Sequence, residues 1–475
     1  MYPKLEIFVA GQWKSGNNRP TESVINPADE SVIGQLPHAT ADDLDYAVES
    51  AVRGFNLWRS ASAQQKADVL NKAADIVAVR KDNNAEIMTL EQGKTLAESA
   101  GEWDRVVDTL RWHAQAVYEL ADVAYPARAG GLVQHSQLEP VGVALALTAW
   151  NFPAILPVRK LAPALAAGCS VILKAAEETP ASAIELVRAL QDAGLPNGVV
   201  NLIFGVPSEV SGYMLQRKEI RKLSFTGSVP VGKLLAGQAA MGLKRCTLEL
   251  GGHAPAIVFD DADVQNAVNL IAGFKYRNAG QVCIAPSRVY VHEKIVDDFT
   301  NGFVEFANNL VVGDGRDDAT QMGPMANSRR IEAMQSLTDD ALAKGARLLT
   351  GGAGKQDKGF YWQPSVLNNV PDNADILQQE PFGPVAPIVS FSDYDELISR
   401  VNGLEYGLAS YVFTQSEQRQ EKLIDDIECG GIAVNTVTPA QPDTPFGGVK
   451  ESGYGYEGGM AGINAYLNQK LVSRV

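Results

Sequence analysis

VGVALALTAW (Val141–Trp150), SVILKA (Ser170–Ala175), VVNLIFG (Val199–Gly205), KLSFTGS (Lys222–Ser228) and CTLELGG (Cys246–Gly252) are five short β-rich runs separated by helical segments. That alternation is the pattern of a parallel sheet wound on both faces. A ligand of such a sheet sits at the carboxyl ends of the strands, so the glycine-rich joints after these runs are where function is to be sought. Upstream, Asp42 to Trp58 and Gln64 to Val79 repeat apolar residues at spacings of three and four, and helices are expected to dominate the first 120 or so residues. Downstream, from about Gly251 to Phe446, strand-like runs (APAIVF, RVYVHE, VAPIVSF, ASYVFT, GIAVN) alternate with helices such as Ile295 to Leu310 and Ser328 to Lys344. This second block reads as a further α/β domain. Two pieces, Ala124 to Glu139 and the C-terminal tail, are too short to bury a core alone and must lean on something, another subunit being one candidate.

The 475 residues are 45% hydrophobic and 20% charged, as in an ordinary globular protein of more than one core. Lys plus Arg number 41 against 56 Asp plus Glu, and the net charge of −15 repels polyanions, which argues against nucleic acid as a partner. The start, MYPKLEIFVAGQW, has no signal-peptide pattern, and the longest apolar runs are about half of the roughly 20 residues a membrane helix needs. Neither export nor a membrane is expected. Four cysteines (Cys169, Cys246, Cys283, Cys429) without a CxxC pair point to reduced thiols and a cytoplasmic protein. Five histidines lack metal-ligand spacing and GxSxG is absent, so neither a metal site nor a serine hydrolase is expected. Gly453, Gly455 and Gly458 satisfy GxGxxG but follow no strand-like run, and are read as a chance match. GGAGKQ, with Gln356 after Lys355 near Gly351, reads as a surface turn.

NAGQVCIA (Asn278–Ala285) places Cys283 in a turn of mostly small or polar residues that leaves its sulfur approachable, whereas Cys169, Cys246 and Cys429 read as small core hydrophobes. Thiolate chemistry also needs a base or a lowered pKa, and donors for an oxyanion. Glu249 ends the CTLELGG run, where a carboxylate can project into a cleft, and Asn151 in AWNFP ends another, where a helix start leaves backbone donors free. The plain alternatives are a satisfied structural Glu and a helix cap.

In order and spacing, WNFP (Trp150–Pro153), KAAEETP (Lys174–Pro180), FTGS with Gly227 and Gly232, LELGG (Leu248–Gly252), NAGQVCIA, EPFGP (Glu380–Pro384) and PFGGVKESGYG (Pro445–Gly455) resemble the aldehyde dehydrogenase superfamily across essentially the whole chain. The resemblance implies an α/β fold with a Rossmann-like cofactor domain (1–123 and 140–250), a second α/β catalytic domain (251–446) and a small β oligomerisation arm (124–139 and 447–475). It implies Cys283 as nucleophile, the Asn151 amide with the Cys283 N–H as oxyanion donors, and Glu249 as the base that directs water onto a thioester. Cofactor positions carried over are Trp150, Lys174, Glu177, Phe225, Gly227, Ser228, Gly232, Glu380 and Phe382. NAD is the expected cofactor and NADP the alternative, because an acid such as Glu177 accepts from a 2′-hydroxyl and repels a 2′-phosphate.

The nearest branch in these motifs holds the succinate semialdehyde and α-ketoglutarate semialdehyde dehydrogenases, with Tyr276 here where that branch often has Phe. Arg159 and Arg277 match the two arginines that face a distal carboxylate in that branch, although either could simply bridge to a surface acid. Ala285 replaces a second cysteine common there, so no local disulfide switch can form. The loop Thr436 to Asp443 would line the substrate tunnel. An uncharged aliphatic or aromatic aldehyde stays as the alternative substrate, and CoA-acylating chemistry and a turnover-dead binding protein as alternative functions. A homodimer or homotetramer acting on a small aldehyde is what the resemblance implies.

Overall fold

The computed structural model describes residues 2–354, 358–438 and 440–475. Two hairpins open the chain, β1 (Ile7–Val9) with β2 (Gln12–Lys14) and β3 (Thr21–Ile25) with β4 (Val32–Pro37). The expected dominance of helices therefore begins only at residue 41, because strands of three to six residues are too short for their alternation to be legible. Helices α1 (Ala41–Trp58), α2 (Ala63–Gln92) and α3 (Leu96–Ala116) follow. Each begins with a reciprocal capping box, Thr40 with Asp43, Ser62 with Gln65 and Thr95 with Glu98, which fixes its first turn locally. β5 (Val123–Ala124) and β6 (Val133–Pro140) then run out from the body.

The five β-rich runs become β7 (Val143–Leu147), β8 (Ser170–Lys174), β9 (Val200–Ile203), β10 (Ile220–Thr226) and β11 (Arg245–Glu249). They are linked by α4 (Ile155–Ala167), α5 (Pro180–Asp192), α6 (Pro207–Gln216) and α7 (Val229–Ala240). They pair in parallel in the order β9-β8-β7-β10-β11. Every residue of β7 and β8 is buried, as a strand covered on both faces requires. The order reverses between β7 and β10, and the crevice at their carboxyl ends is the topological switch point where such sheets bind ligands.

The second sheet is built from β12 (Ala254–Val258), α8 (Val264–Tyr276), β13 (Pro286–His292), α9 (Val296–Asn309), α10 (Ser328–Ala343), β14 (Arg347–Thr350) and β15 (Ser365–Asn368). It continues with α11 (Asp375–Gln378), β16 (Val385–Phe391), α12 (Tyr394–Asn402), β18 (Ala409–Phe413), α13 (Glu417–Asp426) and β19 (Gly431–Val434), while β17 (Tyr406–Gly407), between α12 and β18, stands outside it. Its order is β14-β15-β16-β13-β12-β18-β19, parallel except at the β14 edge. One apolar core lies around each sheet, and Phe152 packs against both.

The tail does not go to one place. β20 (Val449–Lys450) pairs with β17, and β21 (Gly453–Tyr454) adds an antiparallel edge to β11 of the first sheet. After α14 (Gly459–Asn464), only β22 (Leu467–Arg474) joins β6 and β5 in a three-stranded arm. Residues 447–455, grouped with the arm in the sequence reading, do not pair with it: β20 joins β17 and β21 joins β11. Gly453 also lies on a strand, contrary to the sequence reading, but the strand is an antiparallel edge and not the start of a βαβ unit. At φ 115° its missing side chain lets the backbone sit against the Leu248 carbonyl, where a Cβ would collide. Lys355 and Gln356 of the expected surface turn fall outside the described residues. No helix among the described residues is long and apolar enough to cross a membrane.

Gly453→Ala is expected to lower stability by about 1–3 kcal/mol through backbone strain. Gly101→Ala, in α3 with nothing near the new methyl, should raise it by about 0.5–1 kcal/mol. Urea midpoints measured at constant m distinguish the two.

Candidate active site

The β7/β10 crevice opens toward the second sheet as a cavity of about 600 Å³. From the first sheet and its loops come Trp150, Asn151, Arg159, Gly227, Ser228 and Glu249; from the second, Arg277, Cys283, Glu380 and Phe382. Lys174, Glu177, Phe225 and Gly232 lie outside the cavity wall, and none of the described residues of 436–443 is on it. The wall near that loop is closed instead by Phe446.

Cys283 is presented by a strained turn. After α8 the chain passes through Asn278 (φ 49°), Ala279 (51°) and Gly280 (71°), and a Cβ at Gly280 would collide with the Gly383 carbonyl. Left-handed non-glycine residues persist only where the surroundings over-determine them. Here the surroundings are buried amides. Glu98 Oε1 accepts from the Asn278 N–H at 2.6 Å, and Gln92 Nε2 donates to Asn278 Oδ1 at 2.8 Å. Asn278 Nδ2 donates to the Asn151 carbonyl at 3.0 Å, and Gln281 Oε1 accepts from the Ala326 N–H at 2.9 Å. The turn is therefore pinned to the first sheet's helices as much as to its own domain.

Asn151 is buried, and its Nδ2 donates to the Gln281 carbonyl at 3.1 Å. A side-chain amide has two N–H donors, so one remains for the cavity. It is not the helix cap. That work falls to Glu102 of α3, whose Oε1 accepts from the N–H groups of Ala154 and Ile155 at 2.9 and 3.0 Å. Its Oε2 accepts from Lys94 Nζ at 2.6 Å, and Lys94 also donates to the Asn151 carbonyl at 2.9 Å. Lys94 and Glu102 did not emerge from the sequence, where charged residues beside and on a helix read as a solvated face. The available signal was Glu102 placed between the apolar positions of α3.

Glu249 is buried with no hydrogen-bond partner on either carboxylate oxygen. Burial, and then the nearby Glu457 charge, hold its carboxyl well above the usual range, against the pull of Lys160 and Arg159. Lys160 itself is buried, paired with Glu457 and donating to Thr226 Oγ1 at 2.7 Å. Burial also pushes Glu380 up to about 7, while the Gly252 N–H and the Arg330 and Lys275 charges pull the other way. Burial, Glu380 and Glu249 together push the Cys283 thiol up to about 12. The sulfur is thus a thiol at neutral pH until its surroundings change.

Arg159 stacks over the Phe446 ring at 5.0 Å and Arg277 over Phe152 at 5.5 Å. Among the described residues neither guanidinium makes an ion pair or a hydrogen bond, so neither bridges to a surface acid.

The sequence profile of the Aldehyde dehydrogenase family matches residues 13–472. The chain belongs to the aldehyde dehydrogenase family. It is 42% identical to the 4-(hydroxymethyl)benzenesulfonate dehydrogenase of Comamonas testosteroni, over 100% of this chain and 99% of that one. It is 38% identical to the 3-sulfolactaldehyde dehydrogenase of Pseudomonas putida, over 99% and 96%. The solved structure of succinate-semialdehyde dehydrogenase from Burkholderia pseudomallei superposes with a TM-score of 0.97 at 37% identity, over 99% and 98%. This aldehyde dehydrogenase is accordingly an oxidoreductase acting on an aldehyde group.

The residues present fit a nicotinamide dinucleotide. The first turn of α7 has no side-chain cap, and Gly227, Ser228, Val229 and Pro230 turn it into the cavity, leaving backbone donors for a diphosphate. At the end of β8, Lys174 Nζ lies 2.7 Å from Glu177, whose Oε1 also accepts from the Gly205 N–H at 3.2 Å. The rings of Trp150 and Phe382 meet edge to face at 5.6 Å on the wall of this aldehyde dehydrogenase's cavity.

Lys94→Met leaves the Glu102 carboxylate buried without its cation. A loss of about 3–5 kcal/mol in denaturant unfolding is expected.

Proposed function

We propose that this aldehyde dehydrogenase oxidises an aldehyde carrying an anionic group at its far end, a carboxylate-bearing semialdehyde of the succinate or α-ketoglutarate type, to the corresponding acid, with NAD as cofactor and NADP as the alternative. The observation that carries this reading is the pair Arg159 and Arg277 on the cavity wall without a protein acid to satisfy them. An arginine's planar fork is built for a carboxylate, and an unpaired one in a half-apolar wall is stabilised by an anionic substrate. Relatives named for semialdehydes and for sulfonated compounds both agree with a distal anion. A second reading, an uncharged or aromatic aldehyde, is favoured by the rings of Phe152, Phe274 and Phe446 on the same wall.

In this mechanism Cys283 Sγ passes its proton to the ionised Glu249 carboxylate, which releases it to solvent, and adds to the aldehyde carbon, making a thiohemiacetal. The charge that appears on oxygen is held by the spare N–H of Asn151 Nδ2 and the Cys283 backbone N–H, preorganised by the amide network around Asn278. A bound oxidised dinucleotide supplies the hydride acceptor. Glu249, with no partner on either oxygen, takes a proton from the water that displaces the Cys283 thiolate from the thioester, and the acid leaves. Presence of this base argues against transfer of the acyl group to CoA. Glu177 supports NAD by accepting from a 2′-hydroxyl, while its partner Lys174 offsets the repulsion of a 2′-phosphate. The arm exposes Val133 and Leu471, which supports a homodimer or homotetramer.

Cys283→Ala is expected to abolish turnover, and Glu249→Gln to keep a first-turnover burst of reduced cofactor while the steady-state rate falls about 100-fold or more. Glu249 must be ionised to act and its pKa is raised. The wild-type rate therefore climbs with pH through that raised value and fades on acidification before the usual carboxylate range is reached. The Gln variant should lack this limb. Comparing succinate semialdehyde, α-ketoglutarate semialdehyde, an uncharged aliphatic aldehyde and benzaldehyde, the double variant Arg159→Ala with Arg277→Ala should lose the preference for the anions by about 100-fold in kcat/KM. Equal use of all four by the wild type would sink the anionic reading and leave the dehydrogenase intact.

A further inference from the structure

The cavity mouth carries a third arginine. Arg105 of α3, one turn beyond Glu102, lines the same wall as Arg159 and Arg277, so guanidiniums from α3, from α4 and from the turn after α8 converge on one opening. Arg105 is exposed at the rim, whereas the other two are half-buried over aromatic rings. Among the described residues none of the three makes a hydrogen bond or an ion pair through its side chain. They are close enough to feel one another: burial, and then the Arg277 and Arg159 charges, hold the Arg105 guanidinium below its ordinary value, with Asp108 and Glu102 acting in opposition. Glu102 gives none of them a hydrogen bond, because its oxygens are taken by Lys94, Ala154 and Ile155. Three mutually repelling cations at one opening of a protein with net charge −15 make sense as a receptor for an anion.

The number of forks bears on which anion. A carboxylate is planar, and forks arriving from three elements must share its two oxygens in one plane. A sulfonate is tetrahedral with three equivalent oxygens and offers one to each guanidinium. It is also a monoanion at every pH at which the protein folds. A dianionic phosphate would bring a second negative charge toward Glu457 on the same wall. The rings of Phe152, Phe274 and Phe446 on the same wall give an aromatic spacer a surface to lie against.

We propose that Arg105, Arg159 and Arg277 form a three-pronged clamp for a sulfonate, and that Arg105 is the specificity-determining residue that admits sulfonated aldehydes and ranks them against carboxylated ones. This deepens, and rests on, the reading that the substrate carries a distal anion. The test uses a pair that differs only in the head group, 4-formylbenzenesulfonate and 4-formylbenzoate, with benzaldehyde as reference. Reduced-cofactor formation is followed with wild type, Arg105→Gln and Arg105→Lys.

The expected result is that Arg105→Gln lowers kcat/KM for the sulfonate about tenfold or more, through KM rather than kcat, and for the carboxylate less than about threefold. Arg105→Lys, which keeps the charge without the fork, should fall between. The effect should survive added salt, since screening removes steering at the rim but not a bound contact. Equal losses for both anions, a loss that vanishes in salt, or no loss for either overturns the clamp. Failure of the underlying reading looks different: benzaldehyde would then be used as well as both anions by the wild type, and removing Arg159 and Arg277 would leave that ranking unchanged. Because Arg105 is exposed, its variants should unfold with the wild type, which a denaturant midpoint verifies.

Discussion

A single buried ion pair organises the site. Lys94 and Glu102, each with a side chain only 1% exposed, lie between the helices of the first domain and the loop after β7. Two charges so deep gain little stability by themselves, since desolvation offsets most of their attraction. Their value is positional. Glu102 satisfies the start of α4, which releases Asn151 from capping, and Lys94 grips the Asn151 carbonyl that Asn278 also grips from the other side. The Asn151 amide and the Cys283 turn are thereby set by one connected network spanning both sheets.

Around that network the charges are arranged to be ready rather than relaxed. Burial holds Glu249 and Glu380 above the usual carboxylate range, Glu457 adding to it at Glu249, and burial with these two acids raises the Cys283 thiol. An acid without hydrogen-bond partners is expensive to bury, and groups of this kind mark the places where chemistry is done. On the same wall Arg159 and Arg277 stand over aromatic rings and, among the described residues, make no ion pair. The two signs share a single cavity, and the Arg159 charge draws both Glu249 and Cys283 back toward their ionised forms.

Much of this molecule is legible in its sequence, and for local reasons. A five-residue strand covered on both faces is almost wholly apolar, so β7 and β8 announce themselves, and the order of the five runs with helices between them implies the parallel sheet. Cys283, Glu249 and Asn151 stand out because each ends a strand or sits in a small-residue turn, and the structure brings all three to one wall. Arg159 and Arg277 reach that wall as well. Lys174 and Glu177 lie beyond the cavity, at the end of the neighbouring strand β8.

Long-range partners are not legible in the same way, because pairing across the chain leaves no local pattern. β1 to β4 and β21 are two to six residues long, and a strand of that length becomes one only by finding an edge, as Gly453 does against Leu248. Lys94, Glu102 and Arg105 look like the solvated side of a helix until α3 is packed against α4. That packing buries the first two and turns the third to the cavity mouth. The order of amino acids was enough to specify the sheet and to single out Cys283, Glu249 and Asn151, through burial and chain geometry at short range. Which charges are buried, paired or left open was settled only by packing, because a charge's energy depends on neighbours that folding supplies.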